Sequence, residues 1–233
     1  MSRQDAAFAA AVAGVLAGYN NTGGGHPCRQ RWYPVTNLGA TGVLLAAAAA
    51  SGLAAADLGL TAGRLPAGLR CAAGPAGALA SAWLVLAAAA ATRPVLADRR
   101  ITGLSWPQVA YQVLVRIPVG TVLWEETAFR GVLQAALRRV LPGPAAIAVT
   151  SGVFGIWHIG PTSAALRSNG VGPAAGPVAA AVAGTAAAGA VLSWLRDRSG
   201  SLAAPVLLHL TANCGAALAA RAVAGARPIP AGR

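Results

Sequence analysis

Long apolar segments, separated by short polar or Gly- and Pro-rich stretches, make up most of this chain. Within each segment the hydrophobic residues do not alternate with polar ones, as they would in a half-buried strand. Several segments reach the length of about 20 residues that a helix needs to cross roughly 30 Å of hydrocarbon. We therefore predict an all-α fold, a polytopic transmembrane helical bundle of about 6–8 helices.

Gly, Pro and charged residues set the boundaries of the predicted helices. The fourth starts near Pro107, a residue suited to the first turn of a helix, and contains Pro118, where we predict a kink. The first is short, and whether it spans the membrane or lies at its surface is left open. The predicted helices cover residues 6–19, 35–56, 76–97, 107–140, 145–159, 174–195 and 202–223.

The remaining stretches are predicted to be loops within a single integral membrane domain, residues 1–233. Polar or Gly- and Pro-rich loops are expected at residues 20–27, around a solvated His26, and at 57–75 and 161–173. Residues 225–233 are predicted to be a disordered tail. Arginines are nearly balanced between alternate loops, so the orientation in the membrane stays open.

Composition supports the membrane interpretation. Only 10% of the 233 residues are charged, 56% are hydrophobic and the mean hydropathy is +0.58, whereas about 25% of a soluble domain is charged. The net charge of +12 comes from arginines at helix ends, because the chain has no lysine. That scatter predicts membrane lipid and not nucleic acid as a partner. Such Ala-, Arg- and Gly-rich composition is typical of a high-GC bacterium, so we expect a bacterial cell membrane protein.

Three cysteines, Cys28, Cys71 and Cys214, are odd in number and widely spaced, without a CxxC pair. This pattern favours free thiols over a disulfide framework or a cysteine zinc site.

Two adjacent carboxylates, Glu125 and Glu126, lie inside the fourth apolar segment, although the chain has only six acidic residues. An ionisable group at mid-bilayer costs about 2.5 to 3.5 kcal/mol and therefore needs a partner or a task. On a helix, Glu126 and Arg130 can pair, while Glu125 is turned about 100° away. A purely structural ion pair is the alternative explanation for Glu126 and Arg130.

Two histidines also lie in apolar segments. His158 follows Phe154 by four residues, and His209 precedes Asn213 by four, so each pair shares a helix face. An imidazole and a carboxamide on one face are two donors that can converge on an oxyanion. A carboxylate and the other histidine could hold a water and take its proton. Each histidine alone could equally be a packing residue.

Together the motifs resemble the intramembrane CAAX-protease and bacteriocin-processing (CPBP or Abi) family, which includes the type II CAAX prenyl endopeptidases. The family pattern is Glu-Glu-x-x-x-Arg, then Phe-x-x-x-His, then a His with an Asn four positions on, each on its own transmembrane helix. The motifs occupy residues 107–223 of this chain. They are matched here by Glu125-Glu126-x-x-x-Arg130, Phe154-x-x-x-His158 and His209-x-x-x-Asn213.

The resemblance implies an intramembrane endopeptidase of peptide or protein substrates. In it, Glu125 and His158 would activate water, His209 and Asn213 would stabilise the oxyanion, and Glu126 and Arg130 would support the site. The family has been described as metalloproteases, but a metal-free glutamate mechanism fits the same residues. A bound Zn²⁺ therefore stays open, because two histidines and a glutamate are suitable ligands yet no His-Glu-x-x-His occurs.

Two other function classes remain. A non-catalytic membrane scaffold or bacteriocin self-immunity protein would keep the fold without the activity. A proton-coupled transporter would use the buried Glu, Arg and His as an ion path. The sequence identifies no substrate, and a prenylated one is less expected in a bacterium.

Overall fold

The computed structural model describes residues 2–22, 30–172 and 174–225. His26 and Cys28, and the predicted tail beyond Gly225, lie outside these residues, so the expectations about them remain predictions. Across the described part of the chain the secondary structure is helical, as the sequence predicts. The helices are α1 (Arg3–Tyr19), α2 (Tyr33–Ala50), α3 (Leu65–Ala88), α4 (Arg93–Leu96), α5 (Arg99–Thr102), the composite α6 described next, α7 (Gly143–Trp157), α8 (Ile159–Ser168), α9 (Ala175–Ser199) and α10 (Ala203–Ala224).

Helix α6 is continuous but changes its winding. Ser105 and Gln108 form a capping box at its start, and Pro107 lies in its first turn, as predicted. Pro118 lies inside a π-helical segment, where the wider turns accommodate a ring that cannot donate a backbone hydrogen bond. The successive segments of α6 are α-helical Trp106–Tyr111, π-helical Gln112–Leu123, α-helical Trp124–Glu126, π-helical Thr127–Leu133 and α-helical Gln134–Arg138.

Among the described residues, four helical stretches are long and apolar enough to cross a membrane. These are Tyr33–Ala50, Ala62–Ala88, Ala175–Ser199 and Ala203–Ala224. Their outward faces carry exposed apolar side chains such as Val43 and Leu84, as expected of surfaces that meet lipid. The chain is an integral membrane protein.

The structure differs from several of the predicted segment boundaries. The third helix spans Leu65–Ala88 instead of residues 76–97, and Pro75 lies inside it, which membrane helices tolerate because neighbouring groups satisfy the freed carbonyl. The predicted loop at 161–173 is largely helix α8. Its serines bond back to the carbonyls four residues earlier instead of breaking the helix.

The core lies around the middle of α6. Buried residues of α1, including Leu16, pack with Phe129 and Leu133 of α6 and with Phe154 and Trp157 of α7 in one apolar cluster. Small residues allow close approach, since a Cβ added at Gly155 would lie 2.7 Å from the backbone oxygen of Val182 in α9. This close packing fixes α7 against α9 and α6.

Candidate active site

Glu126 contacts two other buried polar side chains, Arg130 and His209. Its Oε1 accepts a hydrogen bond from Arg130 Nη1 at 3.0 Å and lies 2.6 Å from His209 Nδ1. The side chains of Glu126 and Arg130 are both fully buried, which confirms the predicted i,i+4 pair. Arg130 is held further by a 3.3 Å bond from Nη2 to the Gly189 carbonyl. One carboxylate therefore ties α6 to α10, and its arginine ties α6 to α9.

Glu125 points away from this pair, as its position on the helix predicts. Its Oε1 accepts a 3.1 Å hydrogen bond from the indole N–H of Trp157 in α7. Its Oε2 is buried without a hydrogen-bond partner and lies 3.9 Å from His209 Nε2. Glu125 is thus oriented through one oxygen, while the other faces the His209 ring.

His209 and Asn213 share one face of α10, as the four-residue spacing predicts. Asn213 Nδ2 lies 3.2 Å from His209 Nε2, so the two groups contact each other. When Nδ1 donates to Glu126, a neutral His209 ring has an acceptor at Nε2, which suits the Asn213 amide. The two expected oxyanion donors are therefore adjacent, but in this state they are bonded to each other.

His158 stands beside this cluster and makes no hydrogen bond or ion pair with Glu125 or His209 in the described structure. It is the cap residue between α7 and α8, and its Nδ1 lies 2.7 Å from the Phe154 carbonyl. That bond, with Nδ1 as donor, leaves Nε2 as an acceptor in the neutral ring. The Phe154 ring lies between the histidines, with centroid distances of 4.6 Å to His158 and 6.2 Å to His209.

Phe154 also covers the arginine, because the Arg130 guanidinium carbon lies 4.1 Å from its ring centroid. Phe154 therefore contacts residues of all three motifs, which lie on separate helices. Cation–π contact with a desolvated arginine stabilises by about 2 kcal/mol. Phe154 is therefore the apolar residue around which the polar groups are arranged.

The sequence interpretation gave Trp157 no role. Trp157 is fully buried and donates to Glu125 while its ring packs against Tyr19 and Phe129. A fully buried indole needs an acceptor, and its position beside His158 was the available signal.

A cavity of about 360 Å³ is lined by Arg130 but by neither His158 nor His209. Arg130 is the one residue of the six candidates that lines it. Glu125, His158, His209 and Asn213 do not line this cavity. Its other lining residues are Leu53, Asp57, Gln134, Ala135, Arg138, Arg139, Arg196 and Asp197.

The donors present do not fit a zinc site. Within residues 2–22, 30–172 and 174–225, no three His, Cys, Asp or Glu side chains are gathered so that they could hold a metal ion. Glu126 Oε1 and His209 Nδ1 are bonded to each other, and His209 Nε2 contacts an amide.

Comparison with known families now gives the context of this geometry. A family model described as type II CAAX prenyl endopeptidase Rce1-like matches residues 106–215. Over these residues the chain is similar to that family. The match begins at α6 and includes all three motifs. No curated protein and no solved structure matches the chain.

The matched family is one of CAAX endopeptidases, so this similarity supports an intramembrane protease. A protease of this kind acts on peptide or protein substrates while embedded in lipid. Helices α1 to α5 precede the matched residues.

Proposed function

We propose that the chain hydrolyses peptide bonds with a water activated by Glu125 and His158, and that His209 and Asn213 stabilise the resulting oxyanion. The observation that carries this proposal is the position of Glu125 Oε2, which is buried without a partner among the described residues and lies 3.9 Å from His209 Nε2. A distance of this size between two polar atoms suits a water molecule that bridges them. A carboxylate held through one oxygen and free at the other is arranged as a general base.

The reaction begins when Glu125 accepts a proton from water and hydroxide adds to the peptide carbonyl carbon. The proton then passes from Glu125 to the leaving nitrogen as the C–N bond breaks, which returns the carboxylate. His158 accepts a hydrogen bond from the same water through Nε2, the ring nitrogen that its bond to the Phe154 carbonyl leaves as an acceptor, and so orients the water. Trp157 orients Glu125 throughout.

The oxyanion site requires one local rearrangement. His209 Nε2 and Asn213 Nδ2 are 3.2 Å apart, so a single oxygen atom can lie within about 3 Å of both nitrogens. A substrate carbonyl would replace their mutual contact. His209 takes up a proton from solvent at Nε2 as the substrate binds and donates from Nε2 as an imidazolium, whose charge is balanced by Glu126 at Nδ1.

Glu126 and Arg130 are positioning residues in this proposal. Glu126 fixes the His209 ring, and Arg130 neutralises Glu126 and anchors it to α9. In this proposal the ion pair between Glu126 and Arg130 is structural, and it supports catalysis by holding His209 in place.

Peptide cleavage by the purified protein in detergent tests the proposal. The substrate is a quenched fluorogenic peptide with a prenylated CAAX end, beside its unprenylated counterpart. We expect Glu125→Gln and Glu125→Ala to abolish cleavage and Asn213→Ala to lower kcat by about 10²- to 10³-fold. Wild-type cleavage by Glu125→Ala would overturn the mechanism.

Further arms separate the remaining alternatives. Loss of cleavage on adding a chelator, restored by Zn²⁺, would replace the metal-free mechanism with a zinc one. A scaffold or immunity protein would cleave neither peptide. A proton-coupled transporter would show flux that tolerates Asn213→Ala.

A further inference from the structure

The end of α1 is clamped to the break between α7 and α8. Helix α7 ends at Trp157 and α8 begins at Ile159, so His158 alone separates them. At such a break the last carbonyls of one helix and the first N–H groups of the next lack their regular intrahelical partners.

A single side chain satisfies both sides of this break. Asn21 Nδ2 donates to the Ile156 carbonyl at 2.9 Å, and Asn21 Oδ1 accepts from the Gly160 N–H at 2.8 Å. The two bonded groups lie two residues before and two residues after His158. Asn21 Nδ2 also donates to the Ala17 carbonyl at 2.7 Å, which fixes the carboxamide to α1 itself.

Close packing at Gly160 supports the same contact. A Cβ added at Gly160 would lie 2.8 Å from the Asn20 carbonyl oxygen and 3.0 Å from Asn21 Oδ1. Because a real Cβ essentially never comes so close to backbone, the chain needs glycine here. Two features therefore bring Asn21 close to the break, namely its own hydrogen bonds and the absence of a side chain at Gly160.

Tyr19, two residues earlier, holds the neighbouring indole. Its ring stacks on Trp157 with centroids 5.5 Å apart and an interplanar angle of 2°. Its hydroxyl donates to Asn37 Oδ1 at 2.8 Å, and Asn37 Nδ2 donates to the Gly120 carbonyl of α6 at 2.6 Å. The end of α1 thereby connects α7 with α2 and α6.

We infer that Asn21 is a positioning residue for His158, and that the end of α1 completes an active site whose family-matched residues all lie between 106 and 215. The inference rests on the proposed role of His158. Asn21 does not reach the reacting atoms. It acts by fixing the backbone on both sides of the imidazole, because a catalytic group misplaced by about 1 Å can cost roughly 10²-fold in rate.

The first test compares Asn21→Ala with Asn20→Ala. Asn20 is its neighbour and has no side-chain hydrogen bond in the described structure, so it is a matched control. We expect Asn21→Ala to lower kcat for the fluorogenic peptide by roughly ten- to hundredfold with little change in KM, and Asn20→Ala to keep both near wild type. Unchanged kcat in Asn21→Ala would overturn the inference.

A double-variant cycle with His158→Ala separates positioning from general loss of structure. If Asn21 acts through His158, Asn21→Ala adds little in the His158→Ala background, and the two losses are not multiplicative. Fully multiplicative losses would show that Asn21 acts elsewhere. Wild-type activity of His158→Ala would instead remove the proposed role of His158, and it leaves the structural test below intact.

Amide hydrogen exchange at Gly160 measures the clamp without any activity. We expect faster exchange in Asn21→Ala than in Asn20→Ala or wild type, because the acceptor of that N–H is lost. Asn21→Asp keeps the acceptor and loses the donor to Ile156, so its Gly160 exchange should stay slow. If Asn21→Ala does not fold, Gly160→Ala probes the contact from the opposite side. Equal exchange in all variants would refute the clamp.

Discussion

Trp157 donates its indole N–H to Glu125 Oε1 at 3.1 Å, so the carboxylate that we propose as the base is oriented by the residue next to His158. The bond joins α6 to the end of α7. Positions of the two proposed water-activating residues are therefore linked through a single side chain.

Replacement of that indole should slow the reaction while leaving the fold intact. Trp157→Phe keeps an aromatic ring but removes a hydrogen bond to a charged group, a loss of about 1.5–3 kcal/mol. We expect kcat to fall roughly ten- to hundredfold. Trp124→Phe is the control, since Trp124 lies in the same aromatic cluster and its indole nitrogen has no hydrogen-bond partner in the described part of the chain. Equal effects of the two substitutions would exclude the orienting role.

The buried pair of Glu126 and Arg130 should behave as one unit in stability. Removing one partner of a buried ion pair typically costs about 3–5 kcal/mol, because the other charge is left uncompensated. Arg130→Met should therefore lower the free energy of unfolding in detergent by about that amount. The double variant Arg130→Met/Glu126→Gln should recover part of the stability. It should recover no activity, since Glu126→Gln removes the carboxylate that His209 Nδ1 contacts. Additive losses in the double variant would contradict the coupling.

Helix α7 offers a matched pair of glycines for testing its packing against α9. A Cβ at Gly155 would meet the Val182 backbone oxygen at 2.7 Å, whereas a Cβ at Gly152 has nothing within 4 Å. We expect Gly155→Ala to destabilise by about 1–3 kcal/mol through overpacking. Gly152→Ala should be neutral or slightly stabilising, because alanine favours helix. Thermal unfolding in detergent compares them, and equal midpoints would contradict the close α7–α9 contact.

Asp98 gives the chain an acid-sensitive contact outside the membrane spans. Burial opposes its charge, but hydrogen bonds from Arg100 and Asn169 outweigh that effect and hold the pKa of Asp98 below its ordinary 3.8. A depressed pKa contributes stability above pH 3.8 that is lost as the pH falls through the folded value.

Acidification should therefore loosen the contact between α5 and the end of α8. Amide exchange at Arg99, which donates to Asn169 Oδ1, should quicken below about pH 4 in wild type. In Asp98→Asn the same amide should exchange without this acid dependence. A rise that begins near neutral pH would assign the effect to another group.

Sequence reasoning predicted the helical fold and the pairing on each helix face, because spacing alone decides these. Glu126 with Arg130 and His209 with Asn213 are both four residues apart and in contact. The proposed chemical roles of these residues remain predictions. The sequence could not predict that Glu126 contacts His209, since this contact depends on how α6 packs against α10.

Tertiary packing also explains what the sequence reasoning missed. Asn21 was assigned to a polar loop because Asn and Gly favour turns, yet its carboxamide lies against α7 and α8, 135 and 139 residues further along the chain. The helix α8 was taken for a loop from its polar composition. In both cases the deciding partners are distant in sequence.

The π-helical turns on both sides of Glu125 and Glu126 have a consequence for insertions and deletions. In a regular α-helix, removing one residue ahead of the pair would rotate both carboxylates by about 100° away from α7 and α10. A π-helical turn carries an extra residue that it can give up by tightening into an α-helical one. We therefore expect a one-residue deletion within Gln112–Leu123 to convert a π-helical turn into an α-helical one. Glu125 and Glu126 would then keep their directions towards α7 and α10.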